Sequence, residues 1–383
     1  MIRTTLHQDI AALEALAPRW RGLLDRAASP EPTQTPLWQT TWWREFGPRQ
    51  GRKLRVLAFE DEGGRLLAIA PLLSRRFLHQ RIVPFRRLEL LASGEDEADE
   101  ICSNYIGVLC ESGRELDVAR ELVRALLAGV AGPWDELAFS SMSRTHVFVS
   151  TLERALAESS VEVSLTPSGR CPYVVLPETW AAYLEALRPA QRDGVARALA
   201  ALEAWAGGPH GYALHRASSI AELESARAVL VRLHEDERRG RGERGAFSSE
   251  RFSRFHRAVM RELFEGNEGA LDLLWLTVGE APVAALYNIV YRGKSYAYQS
   301  GLDANVPQHV RAGLALHALA IKRAIEMGMR EYDFLQGAST YEEALCSDAH
   351  VLVELRAVAP TPRARALESA RVAIEKTRGL LRR

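Results

Sequence analysis

Three carboxylates, a histidine and a tyrosine in this 383-residue chain have the chemistry to move a proton. Asp333 lies in the short apolar run Tyr332-Asp333-Phe334-Leu335, where a carboxylate is costly unless it is paired or put to use. His234 falls late in an expected helix, Asp303 follows the strand end Ser300-Gly301, and Tyr341-Glu342 comes shortly after Gln336-Gly337. Each has an ordinary alternative: Asp333 as a structural ion-pair or hydrogen-bond partner, His234 as a capping or salt-linked histidine, Asp303 as a turn residue. Beside them, Gln308-His309-Val310-Arg311-Ala312-Gly313 opens a helix. Helix-start N–H groups, a positive dipole end and a guanidinium suit an anion, most naturally a diphosphate. The plain alternative is a solvated Arg311 and a Gly313 that merely begins the helix.

The elements that must position these groups are legible. LDLLWLTV turns at Gly279-Glu280 into PVAALYNIV, which turns at Arg292-Gly293 into KSYAYQS, the pattern of an antiparallel meander. The helix LALHALAIKRAIEM then carries a buried stripe at Leu314, Ala318, Ile321 and Ile325, with Lys322, Arg323 and Glu326 on its solvated face, and Gly328 stops it. The first half repeats strand, helix and strand: Leu54–Glu60 and Arg65–Leu73 as a hairpin, ICSNYIGVLC as a strand, RELDVARELVRALLAGV as a helix and WDELAFSSM as a strand. Turn residues in Leu165 to Pro172 mark a boundary. The acidic loop from Glu95 to Glu100 would repel a diphosphate, so only the second half is equipped for one.

Composition bounds the classes. Apolar content of 47%, charged content of 26% and zero formal net charge fit a globular protein without a global field for nucleic acid or anionic lipid. The N-terminal MIRTTLHQDIAALEALAPRW reads as an amphipathic helix rather than a signal peptide, and no run reaches the ~20 apolar residues of a membrane span. Cys102, Cys110, Cys171 and Cys346 lack metal or disulfide spacing and read as buried small hydrophobes, so no metal is expected. The location expected from this is cytoplasmic. HEDERRGRGERG reads as a mobile or solvated loop, the C-terminal ARALESARVAIEKTRGLLRR as a basic packing helix, and Trp38, Trp42 and Trp43 as core.

PYVVLPETWAAYLEAL, RLHEDERRGRGERGAF, RFHRAVMREL, PVAALYNIVYRGKSYAYQSGLD and EYDFLQG, with QTPLWQTTWWREFG, LRVLAFEDEGGRLLAIAPLL and WDELAFSSM before them, resemble CelD/BioF2-like proteins of the GNAT acyltransferase superfamily, a FemAB-related branch. The likeness spans about Thr35 to Ala357. It implies an α/β (α+β) fold of tandem GNAT-like units, each a mixed, largely antiparallel sheet flanked by helices. Residues 1–166 would form a unit without CoA, 167–360 the acyltransferase unit, and 361–383 a basic helix.

The resemblance implies acyl transfer from acyl-CoA, acetyl or longer, to an amine of a small-molecule or sugar-linked acceptor, in a cleft between the units. A free alkyl amine has a pKa near ~10, so the site must take a proton as the amine attacks. Asp333, His234, Asp303 and Glu342 are the candidate bases, and Tyr341 a proton donor to the leaving thiolate. Ser300 and Gln308 through Gly313 are the expected donor contacts; Tyr298, Gln336 and Glu342 are the expected substrate contacts. Relatives carry Tyr-Lys where this chain has Tyr341-Glu342. That change implies a neutral or cationic acceptor, or a weakened enzyme. An aminoacyl-tRNA-dependent, FemAB-like transferase and a non-catalytic binding protein are the alternatives.

Overall fold

A computed structural model describes residues 1–48, 51–266, 268–337, 342–346 and 348–381. In chain order the elements are β1 (Arg3–His7), α1 (Ile10–Leu24), α2 (Pro36–Phe46), β2 (Lys53–Leu54), β3 (Val56–Glu60), β4 (Leu66–Ala70), β5 (Leu72–His79), β6 (Val83–Leu90), β7 (Leu109–Cys110), α3 (Glu115–Leu127), β8 (Glu136–Ser143), α4 (Val147–Glu158) and β9 (Glu162–Val175). Then come α5 (Trp180–Ala186), α6 (Pro189–Trp205), β10 (Tyr212–Arg216), α7 (Ile220–Gly240), α8 (Glu250–Phe264), β11 (Ala270–Val278), β12 (Ala281–Tyr291), β13 (Lys294–Leu302), α9 (Ala312–Glu326), β14 (Glu331–Asp333), α10 (Glu342–Leu345), β15 (Asp348–Val358) and α11 (Pro362–Leu381). The fold is mixed α/β. Two compact units divide the chain: 1–96 with 101–169 and 351–383, and 97–100 with 170–350. No helix among the described residues is long and apolar enough to cross a membrane.

In the first unit β1, β3, β4 and β7 form one sheet, and β15 from Val351 onward leads a second set in the order β15-β8-β6-β5-β2. Trp38, Trp42 and Phe46 of α2 are buried, as expected for the tryptophan group, and Trp42 donates its indole N–H to Glu95. Three readings change here. The first residues are a strand paired with β3, and helix begins only at Ile10, where Asp9 caps Ala12 N–H at 2.8 Å. The expected strand from Arg65 to Leu73 breaks at Pro71; Leu66–Ala70 pairs with β3, while β5 pairs with β6 in the other sheet. Of ICSNYIGVLC only Leu109–Cys110 is strand.

In the second unit the order is β10-β11-β12-β13-β14-β9, antiparallel except for the parallel β13–β14 pair. Leu274, Leu276, Ala284, Leu286 and Ala297 pack against Leu314, Ala318 and Ile321 of α9, together with Val195, Ala198 and Leu202 of α6. Strand side chains alternate, so Tyr287 points the other way and meets His256 of α8, with ring centroids 5.7 Å apart. Arg323, expected on the solvated face, instead binds the buried Asp272, its Nε 3.2 Å from the carboxylate. HEDERRGRGERG is not a loop throughout, because α7 continues to Gly240. Its mixed charges are neighbours on a helix: Arg239 pairs with Asp236 and Arg241 with Glu237.

Candidate active site

Strand β13 is where the second unit opens. Tyr287 faces Gln299 but Asn288 faces Ala297, so Tyr298 is an extra residue, a bulge that re-aims the strand. On its other side β13 pairs with β14 at only three positions, ending at Tyr296 and Asp333. β14 stops there because Asp333 Oδ1 accepts the Leu335 N–H at 2.6 Å and Leu335 turns into the left-handed region at φ 58°. β13 runs on to Leu302. Its Ser300 carbonyl and Leu302 N–H are met by side chains of α7: His234 Nδ1 lies 2.8 Å from Ser300 O, and Glu237 Oε2 accepts from Leu302 N at 3.1 Å.

Beyond that strand end lies an open pocket of ≈ 380 Å³, lined by the loop from Leu302 to Gly313 and by Glu237, Gly240 and Arg241 of α7. Helix α9 begins at its rim. Arg311 is the N-cap residue, held left-handed at φ 49°, ψ 48°, and no side chain caps the first turn. The first N–H groups of a helix have no partner within it, so an uncapped start keeps donors for a bound anion. The Arg311 guanidinium runs along α6: a Cβ at Gly194 would lie 4.0 Å from its Nη1. The Glu237 carboxylate is the one acidic group lining the pocket besides Asp303, and the half-exposed Arg241 pairs with it at 2.6 Å.

Of the expected donor contacts, Gln308, Arg311, Ala312 and Gly313 line the pocket together with Asp303. Ser300, His309 and Val310 do not; Val310 is fully buried in the core. Asp303 forms an Asx turn, accepting from Asn305 N at 2.9 Å. His234 is 2% exposed, and both ring nitrogens are used. A carbonyl can only accept, so Nδ1 carries the proton to Ser300 O, and Nε2 accepts from Ala246 N at 3.2 Å. Burial lowers its pKa, which keeps this neutral form. Tyr298 is half-buried against His256, with ring centroids 4.5 Å apart, and Gln336 is exposed. Tyr341 and the Glu342 side chain lie outside the described residues.

Asp333 is fully buried. Its carboxylate, Glu331 and His350 bring ligand-type atoms within 4.8 Å of one another. Glu331 is balanced by Lys294 at 3.2 Å and His350 at 3.3 Å, and that hydrogen bond raises the His350 pKa. Lys294 pairs with Glu331, and His350 joins that ion pair when it is protonated. The acidic loop also has local work, since Asp99 accepts from Ser249 Oγ at 2.7 Å and pairs with Arg251 at 3.0 Å at the start of α8. Sequence reasoning missed Glu237, Gly240 and Arg241. The carboxylate-to-guanidinium spacing of four in Glu237–Arg241 was the available signal.

Residues 189–343 match a family model described as an acetyltransferase (GNAT) domain. No protein with a curated description matches the sequence. Among solved structures, FemX superposes with a TM-score of 0.60 at 10% identity, over 92% of this chain and 96% of that one. The C-terminal domain (DUF2156) of a putative lysylphosphatidylglycerol synthetase from Agrobacterium fabrum gives 0.52 at 10% identity, over 95% and 97%. L-PGS from Bacillus licheniformis gives 0.50 at 14% identity, over 95% and 96%. At such identities the likeness to these structures is one of fold.

Proposed function

We propose that this chain, an acyltransferase whose residues 189–343 match the acetyltransferase (GNAT) domain, transfers an acyl group from acyl-CoA to an amine. The observation that carries this reading is the uncapped start of α9, with Arg311 beside it, on the rim of the pocket at the end of β13. The diphosphate of the donor would sit on the first-turn N–H groups and the Arg311 guanidinium, and the pantetheine arm would run toward β13. The amine attacks the thioester carbonyl, the C–N bond forms, and the C–S bond breaks. Asp333 takes the proton the amine loses, and Tyr341 gives one to the leaving thiolate. His234, with both nitrogens engaged, holds α7 to β13 instead of acting as the base. Glu342, in place of a cation, favours a neutral or cationic acceptor, a small metabolite or a sugar-linked amine. Incubation with acyl-CoAs of increasing chain length, followed by mass spectrometry of bound ligand and thiol release with amine acceptors, tests the proposal. Failure of every acyl-CoA to bind would overturn it.

A second reading, aminoacyl-tRNA as donor, has one observation in its favour. Arg188, the N-cap of α6, and Arg192 and Arg197 along that helix are exposed, and the Arg311 guanidinium lies beside it. Phosphate-driven tRNA binding would fall steeply with salt. A salt-sensitive gel shift with tRNA, together with no acyl-CoA binding, selects that reading.

A further inference from the structure

The β5–β6 hairpin has two unlike faces. Phe77 and Phe85 pair across one of them, with the Arg87 guanidinium carbon 3.3 Å from the centre of the Phe77 ring. The other face turns outward. There Leu78 is 53% and Ile82 64% exposed, two of the most exposed large apolar side chains of the described residues, and Pro84, opposite Leu78, is exposed too. The tip between them is tight: Gln80 and Arg81 both adopt positive φ, 50° and 62°, and Ile82 N–H bonds His79 O at 3.0 Å. A short, twisted turn of this kind holds the two aliphatic side chains outward on a firm support.

The charge carried by the hairpin itself has one sign, while Glu375 of α11 lies 3.5 Å from His79. Five arginines and no acidic residue lie between Leu72 and Leu88. Arg75 and Arg87 pair with Glu89, and Arg86 with Asp135. Arg76 and Arg81, both exposed, make no ion pair among the described residues. We propose that this hairpin tip is a peripheral contact for an anionic lipid bilayer, with Leu78 and Ile82 entering the interface and Arg76 and Arg81 meeting lipid phosphates. Apolar insertion beside basic residues is the combination that such surfaces bind. A nucleic acid has no use for the two exposed aliphatic chains. A second copy would bring these arginines against their equals.

Flotation with vesicles tests this on the full chain. Vesicles of phosphatidylcholine with phosphatidylglycerol should carry wild type, vesicles of phosphatidylcholine alone should not, and about 0.5 M salt should weaken binding by screening. The double variant Leu78→Asn/Ile82→Asn should lower partitioning roughly tenfold or more, and Arg76→Glu/Arg81→Glu should do likewise. All four positions are exposed, so each variant should melt as wild type does. Absence of binding to anionic vesicles, or binding that neither variant alters, overturns the proposal. So does a concentration-dependent dimer, or a complex with nucleic acid, that the same variants abolish while vesicle binding persists.

Discussion

The Glu237 carboxylate holds the Leu302 N–H at 3.1 Å and the Arg241 guanidinium at 2.6 Å, one oxygen to each, at the mouth of the pocket beyond β13. A backbone donor at the strand end is thus engaged by a side chain that carries negative charge. A polyanionic donor entering this pocket meets like charge, and a pantetheine amide would compete for the same N–H.

Glu237→Gln keeps an acceptor for Leu302 and removes the charge. Affinity for acetyl-CoA should rise about threefold to tenfold, the scale of one partly screened charge near a surface. Weaker binding in the variant, measured by calorimetry, would mean that the carboxylate serves the donor by holding Arg241 in place.

Helix α7 packs closely on β13 at Gly301. A Cβ there would lie 2.4 Å from His234 N and 2.8 Å from the Leu233 carbonyl carbon, both backbone atoms that cannot swing aside. Gly301→Ala should therefore cost about 1–3 kcal/mol of stability and lower the melting temperature of the protein. Melting at the wild-type temperature would show that helix and strand separate easily.

Much of this was legible in the sequence, for physical reasons that differ by element. Gly279 and Gly293 at the turns of β11–β12–β13, and the regular apolar stripe of α9, are local signals, and the elements lie where they predict. The β5–β6 hairpin escaped because its arginines come in adjacent pairs, Arg75-Arg76 before Phe77 and Arg86-Arg87 after Phe85, which breaks the apolar-polar period of two. α7 was cut short because glycines and mixed charges look like a loop until pairs such as Glu237–Arg241 place them four apart. Of the site, the helix start at Gln308–Gly313 could be read, since turn residues precede the periodicity. The Glu237–Leu302 bond joins residues 65 apart, and no local pattern announces it.

Asp333→Asn separates two roles. Its Oδ1 accepts the Leu335 N–H, a bond the amide oxygen of asparagine can still accept. If Asp333 is the base, turnover should fall by about 10²–10⁴ with little change in melting temperature. A large loss of thermal stability with normal turnover per folded molecule would confine it to the turn.

The protein should be acid-labile before its carboxylates titrate. Burial pushes His256 down to about 3 and His317 down to about 4, and lowers His146 and His234 as well. Below the unfolded value of 6.5 the unfolded chain binds more protons than the native one, so the stability these groups confer is present above 6.5 and is lost as pH falls toward 4 and 3. His350, raised by Glu331, acts in the opposite sense, its contribution fading as pH rises through its folded value. With four histidines against one, the melting temperature should drop steeply between pH 6.5 and 4. A flat profile across that window would mean that water reaches these rings.

The most direct test of the whole account is calorimetric titration of acetyl-CoA into wild type and Arg311→Glu, with Arg311→Gly as a companion that deletes the charge but suits the left-handed backbone at φ 49°. Loss of one charge-assisted phosphate contact should weaken binding by about 1.5–3 kcal/mol, more for Glu than for Gly, in a protein that still melts normally. An affinity unchanged in both variants would contradict a donor site at the start of α9.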